Sequence, residues 1–541
     1  MTFDLIFRGG EILDGTGDPA FAGSVGIRAG KIEAIGDLVD AEAEHVHDCS
    51  GMIIAPGFID MHSHSDFVLP QAKHGEILAP LMEQGVTTLV GGNCGSSPAP
   101  CCGANTDLLP RLGKLLHDDE LDYSWSNLGE FLGTLEKQGI AVNLAQLAGH
   151  GAIRSAVKGM NASAASDQEQ ALIADLAREC LDHGAIGLST GLGYAPGAFS
   201  STEELISFTK PLVERGGVYT SHARSYVSAT LKGDDTPSNI KALDETAAIH
   251  RAHGIPVQHS HMIFVGDASW SSTDRTLEHF ESLVASDIDM AIDAFPYVGG
   301  NTTLIVFLPP WALADMQSAL GDASQRERLI RGIDRVFNTV GMQWDDTQIL
   351  WSANRDQAAY EGATVGELAR DRGQAGVETY LDLIAELGPS TRIINWNYSG
   401  RDDEETSLRK VLAHPLTCFE TDTILTGQGV DNPASFGTFP RILGRYVREL
   451  GLISLPEAIR RMTSLSADRL GIKDRGRIRK GLAADLVVFD PGTIGCEATR
   501  NAPQTMPTGI ERVVLNGQIV VEAGRFETNS RAGQVLRRAG T

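Results

Sequence analysis

Residues 1–55 carry short runs in which apolar and polar positions alternate, at 4–8, 24–27 and 31–35, each stopped by a turn signal such as Gly9-Gly10 or Ala29-Gly30. A period of two puts every second side chain on one face, so these runs predict half-buried antiparallel strands. The same texture returns at 485–489, 512–515 and 518–521, with Asn516-Gly517 as a hairpin turn. Neither end holds enough apolar positions for a core of its own. The two together predict one small β-sandwich built from residues 1–55 and 470–541.

Between them the pattern changes. Apolar runs at 87–90, 142–147, 186–188, 218–221, 257–259 and 290–294 alternate with longer amphipathic stretches. Strand followed by helix, repeated, means a parallel sheet. With no GxGxxG turn opening the first unit, the repetition favours an α/β fold of the TIM type, a (β/α)8 barrel over residues 56–469. Residues 303–395 break the rhythm with a helical texture containing Trp311, Trp344 and Trp351. This stretch reads as an insertion within the barrel that covers the active site. At 541 residues the chain is long enough for one large and one small domain.

Charge and composition narrow the partners. Asp plus Glu number 70 against 45 Lys plus Arg, for a formal net charge of −25. Such a surface repels polyanions, so neither nucleic acid nor an anionic membrane is expected as a partner, and the expected partner is a small-molecule substrate. The N-terminal MTFDLIFRGG has no basic segment leading into an apolar one, and no apolar run reaches the length of a membrane span. A cytoplasmic location is expected, and the odd count of seven Cys suits a reducing compartment. Homo-oligomerisation is left open.

The strongest chemical signal is MIIAPGFIDMHSHSD at 52–66, where His62 and His64 follow the apolar pair Phe58-Ile59. Residues two apart on a strand face the same way, so both imidazoles project together from the strand's C-terminal end. Further polar residues end later strands: Cys94, His222, His261 and Asp422. Each alone also suits a buried structural residue. A barrel, however, assembles its active site from the ends of different strands, and thiolate with imidazole suits zinc.

This constellation, with MHSHSD, GGNCGSSPAP, SHARSY, QHSHM, DAFPYVGG and GTFPRILGRYVRE, resembles the N-acyl-D-amino-acid deacylases (D-aminoacylases) of the amidohydrolase superfamily. The resemblance covers nearly the whole chain and is densest from 437 to 518. It implies a zinc-dependent hydrolase of a non-peptide C–N bond, with one or two zinc ions per chain. By the family's motifs, His62, His64 and Asp422 hold one position, His222 and His261 the other, and Cys94 is shared. Asp422 is also the implied general base, taking a proton from zinc-activated water and passing it to the leaving nitrogen. His150, Tyr194 and Tyr297 stand at other presumed strand ends and are expected to orient substrate.

The match fails where the family binds the substrate's carboxylate. A Lys two residues after the fourth His is Ile263 here, and a His-Pro-Arg is Asn432-Pro433-Ala434. Ser-Asp-Gly around the catalytic Asp becomes Thr421-Asp422-Thr423. With both cations gone, a substrate with little negative charge is expected, its pocket rebuilt by Ile263 and Ala434. Arg224, beside a ligand, is the candidate replacement cation that would instead preserve N-acyl-D-amino-acid deacylation. A non-catalytic scaffold on this fold would predict missing ligands, and all six are present. Deamination and ester or lactone hydrolysis use the same attacking group and stay open.

Overall fold

The computed structural model describes residues 2–117, 121–230, 234–401 and 404–538. Eight parallel strands run in order from Phe58–Asp60 through Val86–Gly91, Asn143–Gly149, Gly187–Gly191, Val218–His222, Val257–His259 and Met290–Ala294 to Thr417–Phe419. The first and last close the barrel through backbone bonds. Met61 N–H donates to the Phe419 carbonyl at 3.3 Å, Asp422 N–H to His62 at 3.0 Å and His64 N–H to Thr423 at 3.1 Å. Every residue of Val86–Gly91 and Asn143–Gly149 is buried. A parallel barrel strand is covered on both faces, by the barrel interior and by helices, and therefore reads as a mostly apolar run, broken here by Thr87, Thr88, Asn143 and Gln146.

The helices between strands begin and end on local signals. Asn127 accepts from Glu130 N–H to cap Leu128–Gln138, which stops at Gly139 with φ +75°. Ser166 and Glu169 form a capping box on Asp167–Asp182.

Both chain ends meet in a second sheet, of nine strands. Ile53–Pro56 pairs with Phe3–Ile12 on one side and with Leu486–Phe489 on the other. Alternation sorts its side chains: Ile54, Leu486 and Val488 pack among the small domain's own core, while Ile53, Ala55, Val487 and Phe489 join the barrel's. The sheet is thus held by a core of its own and by burial against the barrel.

The segment at 303–395 is largely helical, with Ala323–Val340, Val365–Arg372 and Gly376–Leu387, but it also carries strands. Thr347–Trp351 and Gly300–Thr303 flank Arg392–Asn395 in a three-stranded antiparallel sheet. Apolar runs this short do not separate strand from buried helix by periodicity alone. The segment has its own core, in which Phe337 stacks on Trp344 with ring centroids 3.9 Å apart. Among the described residues, no helix is long and apolar enough to cross a membrane.

Candidate metal centre and substrate cavity

The six side chains expected at strand ends converge at the C-terminal mouth of the barrel. His62 Nε2 lies 3.2 Å from Cys94 Sγ, which lies 3.4 Å from His222 Nδ1 and 3.7 Å from His261 Nε2. Asp422 Oδ1 is 3.6 Å from His62 Nε2 and 3.7 Å from His64 Nε2. Ligands at 2.0–2.3 Å around a tetrahedral zinc stand roughly 3.3–3.8 Å from one another. Most of the observed separations fall at or near that edge length; His222 and His261, at 2.9 Å, are closer.

Backbone conformation brings the ligands inward. Cys94, His261 and Asp422 have φ of +51°, +31° and +46°, a region that L residues adopt at a cost and that gathers at functional sites. Gly95, next to Cys94, has φ +67°, and a Cβ there would lie 2.7 Å from Gly191 N. Only glycine lets this loop pass so close to the neighbouring strand end. The Tyr226 hydroxyl accepts from Ala223 N–H at 2.7 Å and donates to the Ser260 carbonyl at 3.0 Å, which sets its ring against His222 and His261.

Beneath the ligands lies a knot of buried acids. Glu420 Oε2 is 3.5 Å from His62 Nδ1, and Asp293 Oδ1 accepts from His261 N–H at 2.5 Å. Asp60 accepts from Thr421 N–H and Oγ1 at 2.9 and 2.6 Å, tying the first strand to the last. Burial raises Asp60 and Asp293 to about 7. Burial, then Asp293 and Asp60, raises Asp422, and burial, then Asp422, Glu420 and Asp293, raises the Cys94 thiol. Burial also holds His64 at about 4 and His261 at about 3, so the imidazoles are neutral and keep their lone pairs. Among the described residues, no Lys or Arg is ion-paired with these acids. A thiol, neutral imidazoles and crowded carboxyls form a donor set that lacks only a positive charge, and a divalent cation fits it.

Glu420 and Asp293 were not singled out from sequence. Their signal was spacing: Glu420 precedes Asp422 by two in CFETD, and Asp293 opens DAFPYVGG. An acid on a strand end beside a ligand shares the ligand's neighbourhood and supports it from the next layer.

The ligands open into a cavity of about 610 Å³ whose walls include Tyr194, Arg224, Ile263, Asn301, Tyr398 and residues of the inserted segment. Tyr194 packs its ring 4.5 Å from that of His222 and places its hydroxyl 3.3 Å from Thr302 Oγ1. Arg224 is on the wall, but its guanidinium is engaged by both oxygens of Glu245 at 2.9 Å and by the carbonyls of Ser200 and Ala198 at 2.9 and 3.3 Å. Asn301, 8% exposed, has no partner for either side-chain atom.

Three residues expected to contact substrate stand elsewhere. His150 is fully buried at the start of the helix His150–Lys158, where its Nε2 meets Glu204 Oε1 at 3.1 Å beside Arg154. Its ring is committed to an internal polar triad. Tyr297 and Ala434 sit behind the wall in a cluster with Phe295 and Tyr398, against which Ile263 packs. The Arg441 guanidinium lies 4.7 Å over the Tyr297 ring, directing that tyrosine towards the helix Ala434–Arg441.

Comparison with known proteins gives the same class. The family model described as the amidohydrolase family matches residues 316–521. The D-aminoacylase of Alcaligenes xylosoxydans xylosoxydans is 35% identical over 99% of this chain and 98% of its own. A D-aminoacylase structure with a binuclear metal centre, showing one-metal activation and second-metal attenuation, matches with a TM-score of 0.82 and 33% identity over 99% of this chain and 100% of that one. The N-acyl-D-glutamate deacylase of Bordetella bronchiseptica, complexed with zinc and a phosphonate mimic of the tetrahedral intermediate, matches at TM-score 0.81 and 30% identity over the same shares. The chain belongs to the D-aminoacylase family of metal-dependent amidohydrolases.

Proposed function

We propose that this protein hydrolyses an amide bond of a small N-acyl compound whose leaving portion carries little negative charge, using one or two zinc ions held by His62, His64, Cys94, His222, His261 and Asp422. The observation that carries the charge preference is Arg224. The family's two cations are replaced by Ile263 and Ala434, and the arginine that could substitute for them is saturated by Glu245 and two carbonyls. Arg111, the other cation on the wall among the described residues, is exposed, so water already solvates its charge. Asn301 adds support: one donor and one acceptor, both unpaired and buried, match the complementary pair of a neutral carboxamide.

A zinc ion bound there supplies a Lewis acid for the carbonyl and lowers the pKa of water to about 7. The protein's own part falls to a few groups. Asp422 Oδ1, within 3.7 Å of both first-strand imidazoles, is placed to accept the proton of the attacking water and return it to the leaving nitrogen. Glu420 stands beside the His62 ring at 3.5 Å, and Asp293 fixes the His261 backbone through its N–H. Tyr194 closes one side of the reacting position, and its ring against His222 limits water there. A cytoplasmic location is part of the proposal, supported by seven cysteines that are all free.

The test is zinc analysis of purified protein with a panel of N-acyl-D-amino acids, their neutral amides, carbamates and cyclic amides. One or two zinc per chain, turnover of uncharged members, loss on chelation and recovery with zinc are expected. Preference for the free acids would restore ordinary deacylation, and an inactive zinc-loaded protein would point to a scaffold.

A further inference from the structure

The cavity is larger and more apolar than recognition of a small head group requires. Beyond the ligands, Asn301 and Arg224, one wall is the segment 108–116, where Leu108, Leu112 and Leu115 recur at intervals of four and three. That spacing places them on one face of the short helical turns Leu109–Leu112 and Gly113–Leu115. The facing wall comes from the inserted segment, with Ile305, Phe307 and Met316. All six side chains are half-buried and line the same space as His64, Cys94 and Asp422. Ile305, Phe307 and Met316 close one side on the inserted segment's core, and the faces that such side chains leave open to a concavity are what an apolar ligand would cover.

We propose that this chamber binds a flexible alkyl chain of about eight to twelve carbons attached to the scissile amide, so that the substrates are medium-chain fatty amides. The proposal rests on the amide-hydrolase reading above for its chemistry and on the chamber for its chain. The volume of about 610 Å³ lies within the range that encloses a whole small-molecule ligand, whereas the side chain of one amino acid would leave most of the leucine wall wet. Arg111 interrupts the leucine wall but is exposed, and the six chamber side chains offer a chain no hydrogen-bonding group. Continuity with the ligand cluster separates this chamber from a surface docking patch: a chain lying in it has its carbonyl end at Asp422. The charge preference agrees, since a neutral fatty amide needs no cation at Ile263.

Two substrate series distinguish which side of the amide carries the chain. One holds D-leucinamide acylated with chains from acetyl to dodecanoyl, and the other holds acetamides of n-alkylamines over the same lengths. With the zinc-loaded enzyme, kcat/KM is expected to rise about three- to fourfold per methylene in one series before reaching a plateau. Met316→Gln and Leu112→Gln are expected to flatten that slope. Calorimetric titration with butanamide, octanamide and decanamide reads binding separately from turnover. Tighter binding with length but no hydrolysis of any amide would keep the chamber and remove the hydrolase reading. Rates and affinities that stay flat or fall with length in every series would overturn the proposal.

Discussion

The floor of the active site and its walls obey different constraints. The floor is built from six side chains at the ends of five barrel strands, each within 4 Å of at least one other. The walls come from loops and the inserted segment, and there Ile263 stands where the resemblance implies a cation, with Ala434, at the second such position, packed behind the wall. A metal fixes ligand type and spacing, whereas a substrate fixes only the shape and charge of the surface that receives it. Reaction type therefore reads from the floor, and substrate class from the walls.

The largest expected effect breaks the floor. Asp422→Asn is expected to lower kcat by ~10²–10⁴-fold while zinc content stays above half that of the parent, measured by steady-state kinetics beside elemental analysis. A variant with equal activity would remove Asp422 as the proton carrier. Ile263→Lys tests the wall. Restoring a cation at that position is expected to raise kcat/KM for N-acyl-D-amino acids about 10–100-fold relative to their amides, the worth of one charge-assisted hydrogen bond. Glu420→Gln touches the layer beneath the floor and is expected to weaken zinc binding by ~10–100-fold in chelator competition.

Smaller effects separate support from recognition. Arg224→Ala is expected to change kcat/KM for uncharged amides by less than about threefold, since the half-exposed pair with Glu245 contributes on the order of 1 kcal/mol or less to stability. A hundredfold loss on an acidic substrate would make Arg224 a carboxylate anchor instead. His150→Ala removes a buried partner of Glu204 and is expected to cost about 1–3 kcal/mol in denaturant unfolding, with kcat nearly unchanged in the folded protein.

Much of this was legible in the sequence, for physical reasons. The barrel strands were visible because a strand buried on both faces is mostly apolar, and the ligands because the fold confines them to strand ends. The terminal sheet was visible through its period of two. What escaped depended on side-chain direction or on non-local pairing. His150 stands at a strand end like the ligands, but the following helix turns its ring towards Glu204. Ala434 and Tyr297 are near the site in sequence pattern but lie one layer behind Tyr398. The pairing of Arg224 with Glu245 joins residues 21 apart and leaves no local mark. The short strands of the inserted segment are too brief for periodicity to separate from helix.

The central claim is an intact metal floor beneath a wall that no longer favours a carboxylate. It is tested most directly by one ratio, kcat/KM of the zinc-loaded enzyme for an N-acyl-D-leucinamide over that for the matching N-acyl-D-leucine. This account predicts a ratio of about ten or more, the cost of leaving a carboxylate without its charge-assisted partner. A ratio well below one would contradict it and would place an effective cation in the wall.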